Sequence, residues 1–246
     1  MIKRLIKKML GIQNLGQLIP YHPNAVSKPE SVIPIVDQIK TYTTLAPKNI
    51  FEIGANYAQD AAGLRWYFNV PAENVWVFEP HPQIFKEIEK LYRFKAFNVA
   101  VFNDSLIAEF NMVDMDLLKA VNNNSVNIGM SGLMNRKDIV GVMKKVPTQT
   151  IRMDEFMDQH QIESIDFLKL DVEGATFEAL EGFGSRLKDV KAMQLEAEHI
   201  QVWENQKLYT DIEKLLTEHG FSLLNFQRKS QQSDSIWVQE EYIKIG

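Results

Sequence analysis

Residues 165–182 read IDFLKLDVEGATFEALEG. The first six form an apolar run of strand length rather than helix length. The run ends in Asp171, Val172, Glu173 and Gly174, and residues 175–187 then carry apolar side chains at helical spacing. A buried strand, a polar turn and an amphipathic helix in that order make half of a parallel strand–helix–strand unit. One such unit has no sheet to join, so the pattern has to recur on either side.

It does recur. Apolar runs of the same kind occupy 49–53 (NIFEI), 75–78 (VWVF), 97–102 (FNVAVF) and 192–195 (AMQL). Helical patterns follow at 59–68, at 82–92 with Ile84, Phe85, Ile88 and Leu91 on one side, and at 208–219. Near-continuous apolar strands alternating with amphipathic helices predict a parallel sheet covered on both faces. The end differs. Runs at 221–226 and 235–239 flank the polar stretch QRKSQQSD and predict a hairpin, which gives the sheet an antiparallel edge. Residues 114–147 interrupt the alternation with Asn122, Asn123, Asn124, Gly129, Ser131 and Gly132, and a segment this long is expected to help shape a substrate pocket.

The start of the chain is of another kind. In residues 1–12 (MIKRLIKKMLGI), helical projection puts Ile2, Leu5, Ile6, Met9, Leu10 and Ile12 opposite Lys3, Arg4, Lys7 and Lys8. That predicts a basic amphipathic helix, able to dock on its own domain or to rest on an anionic membrane surface. Residues 20–34 hold four prolines and read as a connector. The predicted organisation is therefore 1–30 as helix and connector, and 31–246 as the main domain.

Composition narrows the function classes. The 246 residues are 45% hydrophobic and 24% charged, as in an ordinary soluble globular protein. The absence of cysteine excludes disulfides, thiolate metal sites and cysteine nucleophiles. A net charge of −5 disfavours a nucleic-acid partner. No apolar run reaches the ~18 residues of a membrane span, and Lys7 and Lys8 break what would be the apolar core of a signal peptide. The expectation is a soluble, cytoplasmic protein.

The chemistry gathers where the strands end, which is where open parallel sheets bind ligands. The first strand runs out through Glu52, Ile53, Gly54, Ala55 and Asn56 into a helix. Gly54 and Ala55 permit close backbone approach, and the helix start offers free N–H groups. The second strand ends in Glu79, 27 positions after Glu52, about one strand–helix–strand repeat. A carboxylate there can accept bonds from both hydroxyls of a ribose. Asn56 and Gln59 stand where a pyrophosphate-binding glycine motif needs glycines, so a nucleoside without phosphates fits better than a dinucleotide. Around the fourth strand, Lys169, Asp171 and Glu173 share one side by the two-residue period, and charges there need partners or a solvated cleft. The fifth ends in Glu196, Glu198 and His199.

FEIGAN, VWVFEPHP, FNVAV and above all IDFLKLDVEGATFEALEG resemble, in this order, the FkbM family of S-adenosylmethionine-dependent methyltransferases. The resemblance implies a class I methyltransferase fold: an α/β, Rossmann-like, doubly wound sheet of seven strands, mostly parallel, with an antiparallel last strand. It implies S-adenosylmethionine as cofactor. Glu52, Gly54 and Asn56 then belong to the loop around its methionine part, with Ala55 among them; Glu79 takes the ribose hydroxyls. Asn98 starts the segment beside the adenine, and Asp171 stands near the sulfonium and the acceptor. One departure is Ala58, where the family often has glycine.

Methyl transfer to a hydroxyl requires alignment and a place for the proton. Asp171, His199 and a Lys169 of lowered pKa are the candidate catalytic groups, and Asp171, Glu196 and Glu198 could alternatively hold a magnesium ion, although no metal is assigned. His81 is expected to line the edge of the adenosine pocket. The family methylates hydroxyls of glycans and small molecules, so O-methylation of such an acceptor is expected, at the inner face of a membrane if residues 1–12 act as a foot. A non-catalytic nucleoside-binding module on the same fold is the alternative. The sequence leaves the oligomeric state undetermined.

Overall fold

The computed structural model describes residues 22–23, 25, 27–114, 116–117, 126–136 and 142–245. The helix expected at 1–12 lies outside the described residues, as do parts of the 114–147 segment. In chain order the strands are β1 (Ile50–Ile53), β2 (Val75–Phe78), β3 (Lys95–Phe97), β4 (Ala100–Val101), β5 (Ile107–Val113), β6 (Met143–Ile151), β7 (Phe167–Leu170), β8 (Ala192–Glu198), β9 (Phe221–Arg228) and β10 (Gln232–Gln239). The helices are α1 (Ile33–Tyr42), α2 (Gln59–Phe68), α3 (Pro82–Leu91), α4 (Met153–Gln159), α5 (Thr176–Glu181) and α6 (Tyr209–Glu218).

Seven strands form the main sheet in the order β3-β2-β1-β7-β8-β10-β9. All neighbours from β3 to β8 are parallel, and β10 runs antiparallel to both β8 and β9. This is the doubly wound, Rossmann-like sheet with a reversed last strand, the class I methyltransferase arrangement expected above.

The two-residue period sorts the strands cleanly between two cores. Phe51, Phe78, Leu168, Leu170, Met193, Leu195 and Trp237 face α4, α5 and α6. Ile50, Val75, Val77, Phe167, Ala192, Ile236 and Val238 face α1, α2 and α3. Phe51, Phe78, Phe167 and Trp237 are at most 2% exposed, and each such side chain contributes roughly 1.5–3 kcal/mol through burial. The second face matters most for the site. Beyond its apolar residues, the same parity places Glu52, Lys169, Gln194, Glu196 and Asp234.

Four details depart from the sequence reading. The run 97–102 is not one strand: Asn98 donates its side-chain amide to the carbonyls of Glu79 and Pro80 (2.8 and 3.0 Å), and the chain bends there before β4 joins another sheet. That second sheet has the order β4-β6-β5, and β6 takes up part of the segment read as an interruption. The helix expected over 175–187 stops at Glu181 and continues as a 3-10 turn, Gly184–Asp189, because Gly184 adopts a φ of +49°. The fifth strand extends to Glu198, since β10 pairs with it as far as Gln232 opposite Glu198.

Candidate active site

One side of the site begins where β1 ends. Gly54 has a φ of +75°, and a Cβ on it would lie 1.7 Å from the carbonyl oxygen of Asp171. Gly54 and Ala55 both donate N–H to the carbonyl of Phe78, and Asp171 donates N–H to that of Ile53. Three strand ends are thus laced together at one glycine. The chain then turns through Asn56 and Ala58, both with positive φ, into α2.

Glu79 closes this loop from β2. One carboxylate oxygen accepts the Asn56 N–H at 2.7 Å and the other the His81 N–H at 2.8 Å. Each oxygen keeps a further lone pair for a ligand. Burial raises the Glu79 pKa to about 7, with the two backbone hydrogen bonds opposing the rise. Glu52 is buried as well and accepts the Ala61 N–H at 3.0 Å, capping α2 from the neighbouring strand. Burial pushes its carboxyl well above the usual range, and the nearby Lys169 charge opposes this.

Lys169 is the charge hub. Its Nζ lies 3.3 Å from Asp60 Oδ2 and 3.5 Å from Asp171 Oδ2. Burial acts to lower its pKa, but Asp171, Asp60 and Glu52 outweigh burial and hold the ammonium above its ordinary value. A Lys169 general base of lowered pKa is therefore corrected to a cationic partner of Asp171. Asp60 also accepts the hydroxyls of Ser27 and Ser31 at 2.7 and 2.8 Å, which ties the segment before α1 to the same centre.

The far side is built from longer-range contacts. Glu173, with a φ of +48°, and Gly174, with a φ of +87°, form a tight turn against Trp203; a Cβ on Gly174 would lie 2.6 Å from the indole. Residues 126–136 cross over this turn, with Arg136 bridged to Trp203 and its guanidinium 5.0 Å from the ring centroid. Gln206 donates to Glu198, while Lys229 sits 2.7 Å from Asp234 and 3.9 Å from Glu196. Burial, reinforced by Asp171, pushes Glu196 up to about 8 and Glu198 to about 7. Glu173 is raised strongly by burial and by the same carboxylates.

Between these two sides lies one cavity of about 850 Å³. Glu52, Gly54, Ala55, Asn56, Glu79, Lys169 and Asp171 all line it. Asn98 and His199 are absent from the lining. Asn98 spends its amide on the backbone carbonyls noted above, so it braces the Glu79 turn rather than contacting a ligand. His199 follows Ala197 onto the opposite face, packed against Tyr209 and Phe226 at 5.0 and 5.9 Å, which corrects its candidacy as base. The cause is the length of β8: continuing the strand through Glu198 alternates Glu196 and Glu198 inward and turns His199 away. His81 is fully buried outside the cavity, not at its edge. Among the described residues, no group of three or more His, Cys, Asp and Glu side chains could hold a metal ion.

Sequence reasoning missed Asp60 and Gln194. Asp60 is an acid in the first turn of α2, which by itself reads only as a dipole partner. Gln194 carried a usable signal, a polar residue inside the buried run AMQL. Its Oε1 and that of Gln59 are buried without a hydrogen-bond partner, and both residues line the cavity.

The family model described as the methyltransferase FkbM domain matches residues 52–223. No curated protein matches the chain. Among solved structures, an FkbM methyltransferase from Methylobacillus flagellatus KT is similar at 14% identity and a TM-score of 0.48, covering 78% of this chain and 44% of that one. The present chain thus spans less than half the length of that protein. A ribosomal protein L11 methylase from Lactobacillus delbrueckii subsp. bulgaricus is similar at 8% identity and a TM-score of 0.46, with 89% and 83% covered. The magnesium protoporphyrin IX methyltransferase ChlM from Synechocystis PCC 6803, solved with bound SAM, is similar at 12% identity and a TM-score of 0.40, with 97% of each chain covered.

Proposed function

The chain belongs to the FkbM methyltransferase domain family, and from that premise we propose that it transfers a methyl group to a hydroxyl oxygen of a small-molecule or glycan acceptor. The cofactor is S-adenosylmethionine. The residues present suit it. The cavity wall is rich in carboxylates, as a ligand with sulfonium and ammonium charges requires, and the Gln59 carbonyl oxygen is an unclaimed buried acceptor.

The observation that carries the reading is the pairing of Glu79 and Asp171 along one cavity, each fixed by backbone bonds at the end of a strand flanking β1. Glu79, held by the N–H groups of Asn56 and His81, keeps lone pairs for the ribose hydroxyls. The Gly54–Asn56 backbone borders the methionine part, and Val99, Ala100 and Val101 border the adenine. When bound, the cofactor supplies a methyl group on a positively charged sulfur, open to in-line displacement by oxygen.

Asp171 serves as the proton acceptor for the attacking hydroxyl. Its Oδ2 faces Lys169, which orients the carboxylate and leaves Oδ1 to take the proton. Lys169 is a positioning residue, held by Asp60 on its other side. Labelled methyl transfer from S-adenosylmethionine to a panel of hydroxylated sugars tests the reading. The expected result is an O-methyl product formed by the wild type, with turnover reduced ~10²–10⁴-fold in Asp171→Asn at unchanged cofactor affinity. N-methyl products, or full turnover in that variant, would overturn it. For residues 1–12 the reading adds peripheral contact with an anionic membrane from the cytoplasmic side, resting on their basic amphipathic pattern.

A further inference from the structure

We propose that the acceptor carries a protonated amino group close to the hydroxyl that is methylated, and that Gln194 and Glu196 receive it, with the Glu198 carboxylate next along the strand adding to the field. This rests on the methyltransferase reading and narrows its substrate class. The three residues alternate along β8 on the cavity face, about 7 Å apart along the strand. Gln194 is 6% exposed, and its Oε1 has no hydrogen-bond partner. Its register neighbour on β7 is Lys169, whose ammonium is already taken by Asp60 and Asp171. On the β10 side its neighbour is Ile236, which has no donor to offer from its side chain. The orphaned oxygen therefore calls for a donor brought by a ligand.

Charge decides what kind of donor. At this end of the cavity Glu173, Glu196, Glu198 and Asp234 stand with two cations, Arg136 and Lys229. Lys229 lies closer to Asp234 than to Glu196, and Arg136, over Trp203, acts on Glu173 and Glu198 as well. Four carboxylates against two cations leave this wall short of positive charge, and burial holds the carboxyls of Glu196 and Glu198 above their usual range. An entering ammonium supplies the missing charge and its N–H donors match the acceptors on the wall. A metal ion is not the alternative occupant, because no described group of carboxylates is arranged to hold one.

The test uses the full chain saturated with S-adenosylhomocysteine at pH 7. Titration calorimetry compares hexoses carrying an amine at position 2, 3, 4 or 6 with their N-acetylated forms and with glucose. The expected result is that at least one amino sugar binds tenfold or more tighter than its N-acetylated form and than glucose. Proton release on binding accompanies it, seen as heats that change with the buffer's ionisation enthalpy. The preference falls at least fivefold in Glu196→Gln/Glu198→Gln, while S-adenosylhomocysteine affinity stays within twofold. Equal affinity for neutral and amino sugars, or no measurable binding of any at 10 mM, overturns the proposal from wild-type data alone, whether or not the variant folds. Failure of S-adenosylhomocysteine to bind the wild type would instead remove the methyltransferase reading on which it rests.

Discussion

The two ends of the cavity are built by different means. The end formed by β1 and β2 is held by backbone: Gly54 against the Asp171 carbonyl, and Glu79 clasped by two N–H groups within a few residues of the strand ends. The end formed by β8, β9 and β10 is held by side chains brought together across long stretches of sequence, such as Arg136 over Trp203 and Lys229 near Glu196. A backbone-built site has little freedom to change with its ligand. A side-chain-built site can be re-specified residue by residue while the sheet stays intact. One cofactor with many acceptors is what such a division allows.

The sharpest break of this contrast falls on Gly54. Gly54→Ala forces a Cβ into a backbone carbonyl at positive φ, so we expect a loss of at least ~3 kcal/mol or failure to fold. Denaturant unfolding measures it, and a loss below ~1 kcal/mol would show that the strand ends yield more than the contacts suggest.

A smaller effect belongs to the far end. Glu196 and Glu198 carry folded-state pKa values raised to about 8 and about 7 from 4.5. The folded state therefore binds more protons than the unfolded one between those limits, and stability falls as pH rises. The lowered His81 and His199 values oppose this below about 6.5, so the window from pH 6.5 to 8 isolates the carboxylates. The ligand-free protein should lose a few degrees of melting temperature across that window. Glu196→Gln/Glu198→Gln should make the slope shallower, the raised Glu79 keeping the remainder, and an unchanged slope in the variant would place the charge imbalance elsewhere.

The smallest expected effect on catalysis comes from residues 1–12. Their deletion should abolish sedimentation with anionic vesicles while leaving turnover of a soluble acceptor within twofold. Unchanged vesicle binding would remove the membrane contact.

The same division explains what was legible in the sequence. The parallel strands, the hairpin edge and Glu52, Gly54, Asn56, Glu79 and Asp171 are encoded locally, as apolar runs with unusual residues at their ends. His199 was misplaced because its side depends on where β8 stops, and β8 stops where β10 ceases to pair with it. Asn98 was misplaced because its amide partners lie on a different strand end. The lowered pKa expected for Lys169 failed because two carboxylates hold its charge: Asp171, two residues on, and Asp60 from α2, more than 100 residues earlier. Pairing across the sequence set the first two outcomes and contributed to the third.

The most direct measurement is calorimetric binding of S-adenosylmethionine and S-adenosylhomocysteine to the wild type and to Glu79→Ala. Micromolar binding by the wild type, weakened at least a hundredfold in a folded Glu79→Ala, is the predicted result. Binding that survives the substitution would contradict the backbone-clasped carboxylate as the cofactor anchor, and no binding to the folded wild type would contradict the account as a whole.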